Sequence, residues 1–219
     1  MRISSVRPLG SWLRRQRRDF QWMWGLRGRS SRVLWFQWRA RRLAWRMRDL
    51  FSITSVTRPP DMCVLLDLAK RRSRIVELGT ATAWTAITLA LDDPERRVVT
   101  YDPIKRPEPE HYLSLVGRDV RDRIEMVAAP GSTGPEDREP VDLLYIDSSH
   151  EREQTIHEVR AWQPHLRAGA LIIFDDYRHP DFPGIRQAIE ELALDGEQRG
   201  TLFIHRHICE PSVQRTLAG

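Results

Sequence analysis

Two stretches of the chain set titratable groups at the end of an apolar run. Val141 to Ile146, broken only by Asp142, stops on Asp147, and His150 follows three residues later within YIDSSHEREQ. Downstream, ALIIFDDYRHPD runs from a second apolar strand straight into Asp175 and Asp176. A carboxylate and an imidazole this close together are the parts of a proton-transfer site, and two buried strands ending in acids mark where it lies. Ser148-x-x-Glu151 reads as a capping box, which puts His150 at the start of a helix. A helix N-terminus disfavours the imidazolium form, so His150 is expected to be neutral and able to accept a proton near physiological pH. His157, His165, His179, His205 and His207 read as helix surface, loop or edge.

Further strand ends belong with these. VELGTATAWT, residues 76–85, turns from a strand into a helix at Gly79, with Glu77 just before it. The turn begins like G-x-G-x-x-G but carries Ala81 and Trp84 where the later glycines would stand. Ala81 argues against a pyrophosphate ligand, because the second glycine lets backbone amides approach one. Asp102 ends the next strand, 23 residues after Gly79, where a carboxylate accepts the hydroxyls of a ribose. A ribose without a pyrophosphate suggests S-adenosylmethionine.

The elements that must position these residues alternate. From Pro59-Pro60 the chain reads as helix 61–72, strand RIVEL, helix TAITLAL, strand VVTYD and a helix near HYLSLVGRDV. It continues as strand IEMVA, loop PGSTGPEDREP, strand VDLLYID, helix EREQTIHEVRAWQPHL, strand ALIIFDD, helix GIRQAIEELAL and a last strand TLFIHR. Strands alternating with helices of this length predict an α/β fold, a doubly wound and mostly parallel Rossmann-like sheet covered on both faces. In such sheets ligands bind outside the carboxyl ends of the strands, where the acids above collect.

The 219 residues are 41% apolar and 30% charged, with no apolar stretch long enough to span a bilayer, which excludes an integral membrane protein. Cys63 and Cys209 make no disulfide framework and read as free thiols of a reducing compartment, the cytoplasm. The net charge of +5 is unevenly spread: residues 1–50 hold fourteen arginines against Asp19 and Asp49, a local +12, leaving −7 for the rest. Six of the eight tryptophans lie there too, and Ser31 to Phe51 draws as a basic helix with Leu34, Trp35, Trp38 and Trp45 near one face. Residues 1–52 are therefore read as a basic helical N-terminal arm and 53–219 as the catalytic domain. The arm fits packing on its own domain or on a second subunit as a homo-oligomer contact; it also fits a peripheral membrane surface, nucleic acid or a transit peptide.

With these motifs the chain resembles the class I S-adenosylmethionine-dependent methyltransferases. Over residues 53–206 it is most similar to the small metal-dependent O-methyltransferases, of the caffeoyl-CoA type and of macrolide and aminocoumarin sugar methylation. The resemblance implies a cofactor set of Glu77, Gly79, Thr80, Thr85, Asp102, Ala129 and Asp147. Glu77, Gly79 and Thr85 would line the methionine end, Asp102 the ribose, and Ala128 to Gly131 the adenine. It also implies a divalent cation held by Asp147, Asp175 and Asp176. These two strand ends lie 28 residues apart, one helix plus two turns, and three hard oxygen ligands suit Mg²⁺ or Mn²⁺ rather than Zn²⁺. The resemblance implies His150 as the base that deprotonates a hydroxyl of a small-molecule acceptor, a sugar or natural product. Ala83 departs from the glycine usual at its position. Trp84, Tyr177, His179 and the loop HPDFPG are expected to shape the acceptor pocket. Two other readings stay open: a nicotinamide-dependent oxidoreductase on the same fold, and a membrane- or nucleic-acid-binding protein with an inactive methyltransferase-like domain.

Overall fold

In the computed structural model of this protein, residues 9–208 are described, with side chains from Gln16 onward; Cys209 lies outside the described residues. Three helices come first: α1 (Leu9–Gly25), α2 (Ser31–Met47) and the short α3 (Leu50–Ser55). The alternating unit follows as α4 (Pro59–Leu68), β1 (Arg74–Leu78), α5 (Trp84–Asp92), β2 (Arg97–Tyr101), α6 (Glu108–Leu113), α7 (Arg118–Arg121) and β3 (Ile124–Val127). Then come β4 (Val141–Ile146), α8 (Arg152–Trp162), β5 (Leu166–Phe174), α9 (Pro183–Glu191), β6 (Gly196–Arg199) and β7 (Leu202–Arg206).

The strands form one sheet in the order β3-β2-β1-β4-β5-β7-β6, parallel from β3 to β5, with β7 antiparallel to both its neighbours. This is the α/β sheet expected from the alternation. The strand order reverses between β1 and β4, and a reversal of this kind opens the crevice in which doubly wound sheets hold ligands. The strand GEQR of β6 was not foreseen. It lies at the sheet edge with every residue exposed, so it carries no apolar alternation to read. The single helix expected near residues 111–120 is instead α6 and α7, separated by the turn before Gly117.

Successive strand side chains point to opposite faces, and the core divides accordingly. Ile75, Leu143, Tyr145, Leu171 and Ile173 pack under α4 and α5, while Val76, Leu144, Ile146, Ile172 and Phe174 pack under α8 and α9, with Trp162 and Ile185. The arm belongs to the first of these faces: Leu26, Val33, Phe36, Ala40 and Ala44 are buried in the same cluster as Trp84 and Ile87. Phe36 meets the edge of Trp84, and Gln37 Nε2 donates to Thr88 Oγ1 at 2.9 Å. The packed face of α2 is thus that of Val33, Phe36 and Ala40. Trp35 and Trp38 point outward, and Leu34 and Trp45 are only half-buried. Cys63 is a free thiol that receives Arg29 Nε at 3.3 Å. Among the described residues no helix is long and apolar enough to cross a membrane.

Candidate functional site

Strand register builds the site. Leu78 pairs with Tyr101 of β2 and with Ile146 of β4, and Ile146 pairs with Phe174 of β5. The next residue on each strand, Gly79, Asp102, Asp147 and Asp175, therefore stands in one row along the carboxyl edge. The ladder continues through this row: Gly79 N–H donates to Tyr101 O at 2.8 Å, Asp147 N–H to Leu78 O at 2.8 Å and Asp175 N–H to Ile146 O at 3.0 Å. A cavity of about 880 Å³ opens above it.

Of the residues singled out from sequence, Gly79, Asp102, Asp147, His150, Asp175 and Asp176 line this cavity, as do Gly131 and His179. Glu77, Thr80, Thr85 and Ala129 are not among the residues that line it. Gly79 is required by shape, because its φ is +109° and a Cβ there would stand 2.0 Å from Asp147 O. Asp102 is fixed by its own turn: Oδ2 accepts the Ala81 N–H at 2.9 Å and Oδ1 the Ile104 N–H at 2.8 Å. Thr85 is turned into a polar network in which its hydroxyl meets Thr57 Oγ1 at 3.0 Å. Trp84 is a core residue, edge-on to Tyr112, and Tyr177 packs on Phe203, so neither shapes the pocket as expected. Phe182 of the HPDFPG loop does line it.

Glu77 is fully buried beneath the row, and Thr100 Oγ1 donates to its Oε2 at 2.6 Å. Burial pushes its pKa up to about 8, against the Thr100 hydrogen bond and with the help of the Asp147 and Asp102 charges. In the unfolded chain this carboxyl ionises near its ordinary value of 4.5, so stability falls as pH rises from there toward 8, where the native group also ionises. Glu77→Gln keeps the acceptor and removes the charge. Its melting temperature is expected to decline less than that of the wild type between about pH 6 and about pH 9, a relief on the order of a few kcal/mol. Parallel melting curves for the two proteins would contradict a buried protonated Glu77.

The carboxylate cluster is tight. Asp175 is almost wholly buried; its Oδ2 accepts Tyr145 OH at 2.9 Å, and its Oδ1 accepts Thr201 Oγ1 at 3.1 Å and the Asp176 N–H at 2.8 Å. Burial, then the charges of Asp147 and Asp176, hold its pKa well above the usual carboxylate range. His150 Nε2 stands 3.4 Å from Asp147 Oδ1 and 3.6 Å from Asp176 Oδ2, and the ring stacks on Phe182 with centroids 4.5 Å apart. Both His150 (φ 61°) and Asp176 (φ 52°) hold left-handed backbone, which His and Asp adopt more readily than most side chains.

His150 differs from its sequence-based expectation. The capping box does not form: α8 begins at Arg152 with Glu151 as its uncapped N-cap residue, and Ser148 Oγ donates to Glu158 Oε2 at 2.8 Å instead. The imidazole faces carboxylates rather than helix amides. Burial opposes its charge, but Asp147, with Asp176 and Asp175 behind it, outweighs burial and raises the pKa above 6.5. The expected neutral histidine is thus a carboxylate-paired one.

As a donor set, three converging carboxylates that repel one another have the chemistry a hard divalent cation needs. Their spacing does not close around one: the imidazole stands between Asp147 and Asp176, and among the described residues no group of three or more His, Cys, Asp or Glu side chains is gathered in metal-holding geometry.

Several wall residues escaped the sequence reading. Gln154 and Glu158 share one face of α8 four residues apart, with Glu151 at its N-cap, a polar face that periodicity could have revealed. Phe51, Thr54 and residues 55–58, with Arg106 from beyond β2, close the other side of the cavity, and nothing local in their sequence announces it.

The model of a family described as a methyltransferase domain matches residues 63–177. No curated protein matches the chain at significance. Among solved structures, an O-methyltransferase from Bacillus cereus in complex with S-adenosylhomocysteine superposes with a TM-score of 0.63 at 19% identity, covering 88% of this chain and 97% of that one. The O-methyltransferase of tomaymycin synthesis from Streptomyces achromogenes, in complex with S-adenosylmethionine, gives 0.58 at 22%, covering 77% and 88%. A TDP-rhamnose 3'-O-methyltransferase of calicheamicin biosynthesis gives 0.55 at 17%, covering 92% and 96%. At these identities the likeness is one of fold.

Proposed function

Since the chain belongs to the methyltransferase family whose model spans residues 63–177, we propose that it transfers the methyl group of S-adenosylmethionine to a hydroxyl of a small molecule, a sugar or natural product. The observation that carries this reading is the single row of Gly79, Asp102, Asp147 and Asp175 along one cavity, with His150 over the acidic end. Solved enzymes of the same fold hold S-adenosylmethionine or its product, which supports the choice of cofactor.

In this reading Gly79 lets the cofactor's methionine end approach the backbone, Asp102 accepts its ribose hydroxyls, and Pro130 and Gly131 flank its base. His150 takes the acceptor proton at Nε2, the ring being held by its stack on Phe182. Asp175 is held in turn by Tyr145 and Thr201, so the acidic end keeps its shape while the acceptor enters. Asp147, Asp175 and Asp176 form the acidic wall beside His150. Chemistry at the methyl group is then mainly a matter of alignment.

Titration calorimetry tests the cofactor directly. The wild type is expected to bind S-adenosylmethionine, and Asp102→Ala to bind it about tenfold to a hundredfold more weakly, as the loss of a charged acceptor implies. Tight binding of NAD with no response to S-adenosylmethionine would favour an oxidoreductase and end this reading.

A further inference from the structure

The outward face of the first two helices is unlike the rest of the surface. On α2, Arg32, Trp35, Trp38, Arg42 and Arg46 follow one another at intervals of three and four and so share one stripe, opposite the buried Val33, Phe36 and Ala40. Trp35 is 58% exposed and Trp38 39%; their rings stack at 5.0 Å, and the Arg42 guanidinium lies 4.7 Å over Trp38. The same pairing recurs on α1, where Phe20 (66% exposed) stacks on Trp24 at 6.0 Å and Arg27 lies 5.0 Å over Trp24.

Neither acid of this region opposes the positive field. Asp19 accepts Arg41 Nε at 2.8 Å and Trp45 Nε1 at 3.2 Å, and Asp49 caps α3 and accepts Tyr112 OH. Fourteen arginines stand against these two in residues 1–50. The face also leads to the cavity. Arg48 and Asp49 alone separate α2 from α3, where Leu50 is 62% exposed and Phe51 lines the cavity beneath the Arg106 guanidinium. Ile104, also exposed, lines the same wall.

We propose that this arginine and tryptophan face of α1 and α2 docks on an anionic phospholipid surface and sets the mouth of the cavity at the membrane interface. Arginines at phosphate level and indole rings among headgroups satisfy both halves of the pattern, and each basic residue adds to the attraction of an anionic leaflet. Nucleic acid would engage the arginines but leaves the outward Leu50, Met47 and Phe20 in water, which is why lipid is the better match. Only the consequence for the acceptor, that it is reached at the interface, rests on the methyltransferase reading; the docking itself does not.

The test uses the full chain in co-sedimentation with vesicles of phosphatidylcholine alone and of phosphatidylcholine mixed with phosphatidylglycerol, at low and high salt. Binding is expected to the mixed vesicles only and to weaken with salt. Trp35→Ala/Trp38→Ala and Arg32→Glu/Arg42→Glu should each weaken it by about tenfold or more. All four positions lie away from the cavity wall, so both variants should bind S-adenosylmethionine in calorimetry as the wild type does; that readout separates failure of docking from failure of the site. Absence of binding to mixed vesicles overturns the proposal. So does equal binding to neutral vesicles, or tight oligonucleotide binding that the arginine variant loses and the tryptophan variant keeps.

Discussion

His150→Ala lowers the rate of methyl transfer by about 10²–10⁴-fold, the range that a positioned general base contributes. Cofactor affinity stays near that of the wild type, because Gly79 and Asp102 are untouched. The loss falls on kcat, and part of it returns as pH rises and the acceptor hydroxyl ionises unaided. In the wild type the base must be neutral to act; with its pKa above 6.5, the rate should climb with pH through a value higher than that of a free imidazole. A silent His150→Ala would reduce this residue to part of a turn.

Gly79→Ala is expected to cost more than its one methyl suggests. The new Cβ meets the Asp147 carbonyl oxygen at 2.0 Å and its carbon at 2.7 Å, both backbone atoms between hydrogen-bonded strands, at a φ of +109°. Relief requires β1 and β4 to part at the row that carries the site. Cofactor affinity should fall by about 10²-fold or more, as a displacement of an ångström in a binding constellation does. Ala83→Gly provides the contrast, since Ala83 holds φ 63° at the start of α5, where glycine is unstrained. It should leave cofactor binding unchanged without lowering the melting temperature. Wild-type binding by a folded Gly79→Ala protein would show that the cofactor does not approach the β1 turn.

The alternation of apolar strands with helices was legible because buried parallel strands read as short continuous apolar runs between turn residues. RIVEL, VDLLYI and ALIIF occur where the sequence reading placed them, and the acids that follow them reach one cavity because parallel register carries equivalent strand ends to one level. The parallel part of the sheet, its carboxyl edge and the residues of the central row thus follow from the apolar pattern alone, while the exposed edge strand β6 does not. Tertiary structure decided what depends on neighbours distant along the chain. The environment of His150 came out opposite in sign, because the capping box does not form and the imidazole faces Asp147 at 3.4 Å and, from beyond the end of β5, Asp176 at 3.6 Å. Glu77, Thr80, Thr85 and Ala129 sit near the row in sequence but do not line the cavity, and Glu77, Thr80 and Thr85 are buried by packing. The arm was legible as basic and helical. Which of its faces meets the core was not, because Trp35 and Trp38 suit a buried stripe as well as an exposed one, and only the fit of Val33, Phe36 and Ala40 against α5 turned the tryptophans outward.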